Sequence, residues 1–401
     1  MKTNTGRLQV VDALRGFAIV SIMLLHNIEH FDFMYLPDHL PAWMIKLDEG
    51  ITDTMFFLFG GKAYAIFALL FGLTFFIQMN NEEKKGKDFR GRFVWRMVLL
   101  LVFAFINSAF YEGDILSIYA VLAFFLIPVA KLSNRAVFWI AMVFILLPNE
   151  WVNLYRALQN PDMIISDPAS WAYFGRAGEY ITKSSLVDTW IGNLTNGKIA
   201  VILWSWEKGR IWQTIALFML GMLAGRKYLF DTSTKSKRFW IRTIIIAPIT
   251  FIILYTLNVY FAHWITSAAI QRPLRTILES WSNFAFMLVL LSGITLLFQT
   301  RAFYRVLNIL SPLGRMSLSN YVMQSLIGSF IYYGFGLGLY KYTGASYSLL
   351  IGIVLAVLQG YFSYWWMKNH KQGPLEMIWH HLTWINLKKL SARGSVQKAR
   401  A

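Results

Sequence analysis

Apolar stretches of about 20 residues recur along this whole 401-residue chain, and they constrain its fold more than any other feature. Hydrophobic residues make up 56% of the sequence and charged residues only 15%. Each stretch is long enough to cross a bilayer as a helix, and the alternating pattern of a membrane barrel is absent. The sequence therefore predicts an all-α, polytopic integral membrane protein with about ten transmembrane helices. We expect one transmembrane helix near each of the following residue ranges: 8–29, 55–78, 93–111, 114–130, 135–149, 210–225, 243–262, 280–298, 316–338 and 347–367.

Lys and Arg residues are distributed unevenly over the connections between these helices. If the N-terminus is inside, the inner segments hold most of the cations, including the clusters at 84–92 and 226–242. This bias predicts that both termini are cytoplasmic. The chain is then one transmembrane domain, 1–401, with a long extracytoplasmic connection at about 149–209 and a basic cytoplasmic tail from about 368.

The long connection is rich in tryptophan. Such residues are typical of an interfacial aromatic belt, but their rings could equally form a partial lid that stacks on a sugar or lipid headgroup. The sequence leaves both interpretations open. The tryptophans are Trp151, Trp171, Trp190, Trp204 and Trp206.

The net charge of +17 is explained by the inner cations and by attraction to anionic membrane lipids, which we expect as partners. The basic residues form no continuous patch, so we expect no nucleic-acid partner. The chain has no cysteine, which excludes disulfides, thiolate metal sites and cysteine nucleophiles. We expect no metal, and the oligomeric state stays open.

Arg15 and His26 lie eleven residues apart in the first apolar stretch, about 16 Å along a helix. Ionisable side chains within a membrane span are costly, so each of them needs a reason. His26 could act as a general base near the outer end of the helix, or form a hydrogen bond at the interface. Arg15 could bind a phosphate or an acyl carrier from the inner side, or extend to the headgroups beside Asp12.

Two carboxylates, Glu112 and Asp114, are predicted in a short outer turn. Either could orient His26 and stabilise its protonated form, as carboxylates do in catalytic triads. The alternative is a simple acidic turn.

Three other residues are candidates on the same side. His39, in the first outer loop, is an alternative base. Lys62, about two turns into the second predicted span, could bind an anionic group or extend to the interface. Glu29 is a further candidate for substrate binding.

Glu29 also belongs to the sequence His26-Asn27-Ile28-Glu29-His30, which has the H-x-x-E-H spacing of one class of zinc peptidases. The spacing would place His26 and His30 on one helix face. No third ligand is evident, so zinc catalysis is a minor alternative.

On the inner side, Arg315 leads into a span with several polar residues. Asn320 and Gln324 are four residues apart and share a helix face. Polar residues commonly hold membrane helices together, and the alternative is a polar path for a substrate.

Five short blocks resemble the YeiB-type family of bacterial membrane proteins, a domain of unknown function, and they cover nearly the whole chain. They are Asp12-Ala13-Leu14-Arg15-Gly16, Phe67-Ala68-Leu69-Leu70-Phe71-Gly72, Gly113-Asp114-Ile115-Leu116, Gly314-Arg315-Met316-Ser317-Leu318-Ser319-Asn320-Tyr321 with Gln324, and Gln372-Gly373-Pro374-Leu375-Glu376 with Trp379.

The first block also resembles the wider transmembrane acyltransferase superfamily, which includes polysaccharide O-acetyltransferases and heparan-alpha-glucosaminide N-acetyltransferase. This resemblance implies a location in the bacterial cytoplasmic membrane and transfer of an acyl group from cytoplasmic acyl-coenzyme A to a glycan or lipid acceptor outside. Arg15 and His26 match the spacing of the polysaccharide enzymes, whereas the heparan enzyme has its histidine roughly at His39. The donor would contact Arg15 and Arg315, with Asn320 and Gln324 as further candidates.

A function of another class remains as the alternative. A transporter or flippase of a lipid-linked or acylated substrate would use the same polar residues without chemistry. Inverted repeats and broken helices would favour it, and neither is clear in the sequence.

Overall fold

The computed structural model describes residues 8–31, 37 and 40–385, and over this part of the chain the fold is all-helical, as predicted, with no strand. Short 3₁₀ turns cover Ala123–Phe125 and Leu339–Lys341, and a π turn covers Asn193–Gly197. The helices are α1 (Gln9–Ile28), α2 (Ala42–Phe59), α3 (Ala63–Glu83), α4 (Arg90–Phe110), α5 (Leu116–Leu122), α6 (Leu126–Val129), α7 (Asn134–Ile145), α8 (Pro148–Gln159), α9 (Ala169–Phe174), α10 (Gly178–Ile181), α11 (Leu186–Gly192), α12 (Lys198–Glu207), α13 (Arg210–Arg226), α14 (Thr234–Trp264), α15 (Ala268–Phe298), α16 (Arg301–Asn308), α17 (Ser311–Arg315), α18 (Ser317–Tyr332), α19 (Ala345–Asn369) and α20 (Pro374–Trp384).

Six stretches of the described residues are long and apolar enough to cross a membrane, so the chain is a multi-pass membrane protein. They are α1, the stretch Ala42–Glu83 that contains α2 and α3, α4, α14, α15 and α19. The helices α7 and α8, which meet at a bend of 42°, form a seventh if they are one span. Ten spans are not confirmed, because α13 and α18 have only 17 and 16 residues and the region near 114–130 is split between α5 and α6. The cytoplasmic position of the termini stays a prediction.

The span predicted near residues 55–78 is wrong in its boundaries, because a turn divides it. Helix α2 ends at Phe59 and α3 begins at Ala63. Gly61 in this turn has a φ of +75°, a conformation that favours glycine. Lys62 therefore lies directly before α3 and not two turns inside a helix, although it is only 6% exposed.

Helix α13 lies at the centre of the fold and α14 at its edge. Nearly every residue of α13 from 213 to 225 is buried, and the helix packs along α3. Helix α14 packs along α15 and exposes more than half of Ile245, Ile249 and Ile252. In a membrane protein such an apolar face contacts lipid, so α14 forms part of the outer surface of the bundle.

Two glycines allow α1 and α17 to cross at close range. A Cβ atom added to Gly16 would lie 2.0 Å from the carbonyl oxygen of Leu310, and one added to Gly314 would lie 1.8 Å from that of Asp12. Small residues are what permit such backbone contact between membrane helices. The crossing brings together two of the sequence blocks described above, together with the arginine that each contains.

The connection predicted at about 149–209 is folded into helices α8–α12 and the π turn. A Cβ atom added to Gly197 at the end of that turn would lie 2.5 Å from the Cβ of Glu112, so the connection packs directly on the turn after α4. Its tryptophans do not share one role. Trp171 and Trp206 are 59% and 47% exposed, as in an interfacial belt, whereas Trp204 lines a cavity described below.

The start of the tail predicted from about 368 is also ordered, since α20 packs against α4. Trp379 Nε1 donates to the carbonyl oxygen of Arg96 at 3.0 Å, and Trp95 Nε1 donates to that of Leu382 at 3.0 Å. The solvated basic tail therefore cannot begin before the end of α20. Residues 386–401 lie outside the described part of the chain.

Candidate functional site

Two cavities lie at opposite ends of α1. The smaller has a volume of about 170 Å³ and lies beside Arg15; we call it the arginine cavity. The larger has a volume of about 1040 Å³ and contains His26; we call it the histidine cavity. Helix α1 therefore presents its cation and its imidazole to two different cavities.

The arginine cavity is positively charged. Arg15, Arg96 and Arg315 line it, and Glu376 is the one carboxylate among the described residues that do. Arginine is well suited to binding phosphates because its planar guanidinium presents several donors at once. The cavity can thus receive an anionic group or the reactive end of a molecule whose anionic part stays outside.

The arginines of this cavity are held by neighbouring side chains. Arg15 Nη1 lies 3.3 Å from Asp12 Oδ1, and its Nη2 donates to Thr74 Oγ1 at 2.5 Å. The guanidinium of Arg96 lies over the ring of Trp379, 3.6 Å from its centroid. These contacts fix the orientation of both cations at the cavity wall.

Glu376 stabilises another part of the cavity wall, because it caps the start of α18 although it lies more than 50 residues later in the sequence. Its Oε1 accepts from the backbone N–H groups of Leu318 and Ser319 at 2.7 and 3.2 Å, and its Oε2 accepts from Ser319 Oγ at 2.5 Å. The first N–H groups of a helix lack partners within the helix, so this carboxylate completes the start of α18. Burial raises the pKa of Glu376, while these hydrogen bonds oppose the rise.

His26 lines the histidine cavity among aromatic rings. Its ring centroid lies 4.7 Å from that of Tyr111 and 5.4 Å from that of Phe31. Its Nδ1 is buried and makes no hydrogen bond with any described residue. An imidazole in this position can exchange a proton with a bound group. The alternative base, His39, lies outside the described residues, so the choice between the two stays open.

Lys62 lies in the same cavity and has no carboxylate partner among the described residues. Its Nζ is 5.8 and 5.6 Å from the ring centroids of Phe57 and Phe286 and 3.4 Å from the carbonyl oxygen of Phe56. It forms no ion pair with any residue that the structure describes. Glu29, the other substrate-binding candidate, lines this cavity too.

Arg210 is a second cation of the histidine cavity. Its guanidinium lies 4.0 Å from the ring centroid of Trp204 and 4.4 Å from that of Tyr64. Stacking between two rings leaves the N–H groups at the edge of the guanidinium free for a ligand. Trp204 therefore contributes to the cavity as the lid interpretation of the connection requires.

Two tyrosines connect the linings of the two cavities. Tyr321 and Tyr119 line the arginine cavity, and both contact residues that line the histidine cavity. The Tyr321 hydroxyl oxygen accepts from the Ile115 N–H at 3.4 Å, and its ring centroid is 6.3 Å from that of His26. The Tyr119 hydroxyl donates to the carbonyl oxygen of Tyr64 at 2.8 Å. These contacts place the two tyrosines beside both cavities.

Asp114 is buried and forms no hydrogen bond or ion pair with His26. Its carboxylate accepts from Asn107 Nδ2 at 2.9 Å and from Ser108 Oγ at 3.0 Å, and it forms an ion pair of 3.1 Å with Lys198 Nζ. It also accepts the first N–H groups of α5. The structure thus joins Asp114 to the connection over α4, and not to the imidazole as predicted.

Glu112 is also buried, and no hydrogen bond or ion pair joins it to His26. Its Oε2 accepts from the Tyr180 hydroxyl at 2.6 Å, and Asn196 Nδ2 donates to the same hydroxyl oxygen at 3.2 Å. These bonds attach α10 and the π turn to the end of α4. Both carboxylates therefore hold the connection at about 149–209 against the end of α4.

The two amide candidates on α18 differ. Asn320 Nδ2 donates to the carbonyl oxygen of Leu313 at 3.1 Å and to Ser363 Oγ at 3.0 Å, so it joins α17, α18 and α19. Gln324 is 1% exposed and its amide makes no hydrogen bond with a described residue. Neither is among the residues that line the arginine cavity. Asn320 therefore joins helices, which was one of the two roles considered for Asn320 and Gln324 from the sequence.

The zinc geometry is not formed. Helix α1 ends at Ile28, and His30 has a φ of +53°, so His26 and His30 do not share a helix face. His30 Nε2 lies 2.9 Å from Ser348 Oγ. The described residues contain no group of three or more metal-ligating side chains that could hold an ion. Zinc peptidase chemistry is therefore not proposed.

Several residues of these cavities were not found from the sequence. Glu376 belongs to one of the recognised blocks, and Tyr321 to another, but no signal indicated that both line the cavity with Arg15. Arg96 and Arg210 lie at the ends of apolar stretches, where cations are common. These two arginines could be identified as candidates only after the structure showed that they line the cavities.

Comparison with known proteins agrees with the resemblance seen in the sequence. Residues 224–386 match the family described as "Protein of unknown function (DUF418)". The chain is 26% identical to the uncharacterized protein YxaH of Bacillus subtilis (strain 168), over 97% of each chain. It is 31% identical to the uncharacterized protein YeiB of Escherichia coli (strain K12), over 20% of each chain. No solved structure is significantly similar. Residues 224–386 are thus a DUF418 region, and the chain is similar to YxaH over nearly its whole length and to YeiB over a shorter stretch.

Proposed function

We propose that this protein transfers an acyl group across the cytoplasmic membrane, from acyl-coenzyme A to a hydroxyl or amine of an acceptor on the outer face. The acceptor is a glycan or a lipid headgroup. The thioester of the donor reaches the arginine cavity, and the acceptor occupies the histidine cavity. The observation that carries this proposal is that Tyr119 and Tyr321 line the arginine cavity and also contact residues that line the histidine cavity.

The charge of the smaller cavity supports the donor side. Coenzyme A carries several phosphates, and Arg15, Arg96 and Arg315 supply a cationic entrance. The cavity of about 170 Å³ suits the narrow thioester end and leaves the nucleotide outside. Three arginines with one carboxylate also attract an anionic donor from solution.

The position of His26 supports the acceptor side. As a neutral imidazole it takes the proton of the acceptor hydroxyl or amine as that atom attacks the thioester carbonyl. The carbon–sulfur bond breaks, and coenzyme A leaves with a proton, so the bonds and charges balance. The Tyr321 ring lies between this imidazole and the arginine cavity and must move for the two substrates to meet.

The test is release of coenzyme A by purified protein in lipid vesicles. We expect free coenzyme A to appear only when acyl-coenzyme A and an acceptor are both present. His26→Gln should lower the rate about 10²- to 10⁴-fold, the contribution typical of a positioned base. The matched control is His263→Gln, at an exposed position of α14, which should keep the normal rate.

The separation of the cavities also fits a second function, transport of a lipid-linked or acylated substrate. Alternating access requires a barrier that closes a central site from one side of the membrane at a time, and the tyrosines beside both cavities suit such a barrier. Movement of such a substrate between the leaflets without consumption of thioester would favour the transporter. A normal rate of transfer in His26→Gln would contradict the assignment of this base.

A further inference from the structure

We propose that the histidine cavity binds a phosphate-bearing amphiphile. Its phosphate lies between Lys62 and Arg210, and its apolar tail leaves past Phe57 and Tyr255. The identification of this ligand as the acyl acceptor rests on the proposed function, whereas the binding site itself does not.

The first argument is the burial of Lys62. A charged lysine that is only 6% exposed in a membrane protein is costly unless an anion accompanies it. The two phenyl rings beside it and one carbonyl oxygen at 3.4 Å provide only weak compensation. An anionic ligand in the cavity completes the site.

The second argument is the position of Arg210. It lines the same cavity, and its charge acts unfavourably on that of Lys62. Its guanidinium makes no hydrogen bond or ion pair with a described residue, since Trp204 and Tyr64 cover its faces only. Two cations that repel each other across a cavity are both stabilised by one phosphate, which accepts hydrogen bonds from each.

The carboxylates of the cavity do not replace this ligand. Glu29, Asp53 and Glu279 line it, but none forms an ion pair with Lys62 or Arg210 within the described part of the chain. The negative charge of Glu279 stabilises the positive charge of Lys62, but the two groups do not form an ion pair. The space next to the two cations is therefore left for an anion from outside.

A third argument concerns an unpartnered amide. Asn258 on α14 lines the cavity, and its Oδ1 is buried without a hydrogen bond to any described residue. His26 Nδ1 is in the same state at another point of the wall. Buried polar atoms almost always have partners, so a ligand with hydroxyl or N–H groups next to its phosphate is indicated.

The wall between α2 and α14 accounts for the tail. Phe57 and Tyr255 line the cavity and are 40% and 41% exposed at the surface of the bundle, with their ring centroids 5.7 Å apart. Helix α14 presents an apolar face to lipid on this side. An acyl or prenyl chain can therefore remain in the bilayer while its headgroup occupies the cavity.

The experiment measures lipid binding to the purified full-length protein in detergent by native mass spectrometry. The probes are dioleoyl phosphatidic acid, dioleoylglycerol, which lacks the phosphate, and inorganic phosphate, which lacks the tail. We expect tight binding of phosphatidic acid alone. Lys62→Met and Arg210→Met should each weaken it about tenfold to a hundredfold, the effect of losing one charged hydrogen bond.

Two further variants control for folding. Lys62→Arg keeps the charge and should restore most of the affinity. Lys341→Met removes an exposed lysine outside the cavity and should leave the affinity unchanged. Normal binding by both Lys62→Met and Arg210→Met would overturn the site. If dioleoylglycerol binds as tightly as phosphatidic acid, the role of the phosphate is overturned. If inorganic phosphate binds as tightly as phosphatidic acid, the role of the tail is overturned.

The two proposals fail separately. Binding that depends on Lys62, in a protein that never consumes acyl-coenzyme A, would support this site and contradict acyl transfer. Acyl transfer at a normal rate in Lys62→Met would support the enzyme and contradict the phosphate site as the place of the acceptor.

Discussion

The ion pair of Asp114 with Lys198 offers a direct test of whether Asp114 acts in chemistry or in structure. Asp114 is fully buried, Lys198 retains 20% of its side-chain exposure, and the pair is 3.1 Å long. Asp114→Ala removes the acceptor of the pair and of four further hydrogen bonds, to Asn107, Ser108 and the first N–H groups of α5. We therefore expect a large loss of stability, with the connection over α4 loosened first.

The magnitude follows from the charge left behind. Breaking a buried ion pair by removing one partner typically costs about 3–5 kcal/mol, because the other charge stays buried without compensation. For a chain of this size the melting temperature should fall on the order of 5 °C. Thermal unfolding of the purified protein in detergent measures this directly.

A double variant that removes both charges separates the contribution of the Asp114–Lys198 ion pair from that of the other hydrogen bonds of Asp114. Asp114→Asn combined with Lys198→Met leaves no unpaired charge, so the double variant should lose less than the sum of the two single variants. Asp88→Ala is the matched control, since Asp88 pairs with Arg90 in an exposed turn and should change the melting temperature little. If Asp114→Ala melts like the wild type and only loses activity, the structural assignment is refuted.

Three other expectations follow from the packing. Gly314→Ala should prevent the close crossing of α1 and α17 and cost several kcal/mol, to be measured by thermal unfolding against the open-site control Gly91→Ala. Arg315→Gln should weaken binding of acyl-coenzyme A in a calorimetric titration, whereas exposed Arg301→Gln should not. Because burial raises the pKa of Glu376, the extra stability of its protonated form is complete below the ordinary glutamate pKa and lost as the pH rises through the raised one. Relative to Glu376→Gln, the wild type should therefore gain melting temperature on acidification through that range, and a constant difference would contradict this reasoning.

The boundaries of the helices show where pattern alone was sufficient. The stretch at 210–225 is α13 almost residue for residue, because an uninterrupted apolar run has only one regular way to satisfy its backbone. The stretch at 55–78 was misjudged, because the near-neutral Gly60 and Gly61 do not interrupt an apolar stretch in a hydropathy average. Only their backbone conformation makes them a turn.

The candidate site was predictable only in part. Arg15, His26 and Lys62 were found because charge within an apolar stretch is conspicuous, and all three line cavities. Asp114 was assigned to His26 because both were expected at one end of the bundle. Its actual partner, Lys198, is 84 residues away and carries no motif.

Composition and the spacing of apolar runs were enough to determine the class of this protein. Backbone groups in lipid must bond within their own segment, and that rule acts on each stretch independently of the others. The cavities, the two tyrosines beside them and the pairing of each charge depend instead on which helices cross and how closely. A crossing such as that of Gly16 with Gly314 joins residues about 300 positions apart, and no local pattern contains it. The chemistry of the site was therefore decided by tertiary packing, since a buried charge takes its role from the neighbours that surround it.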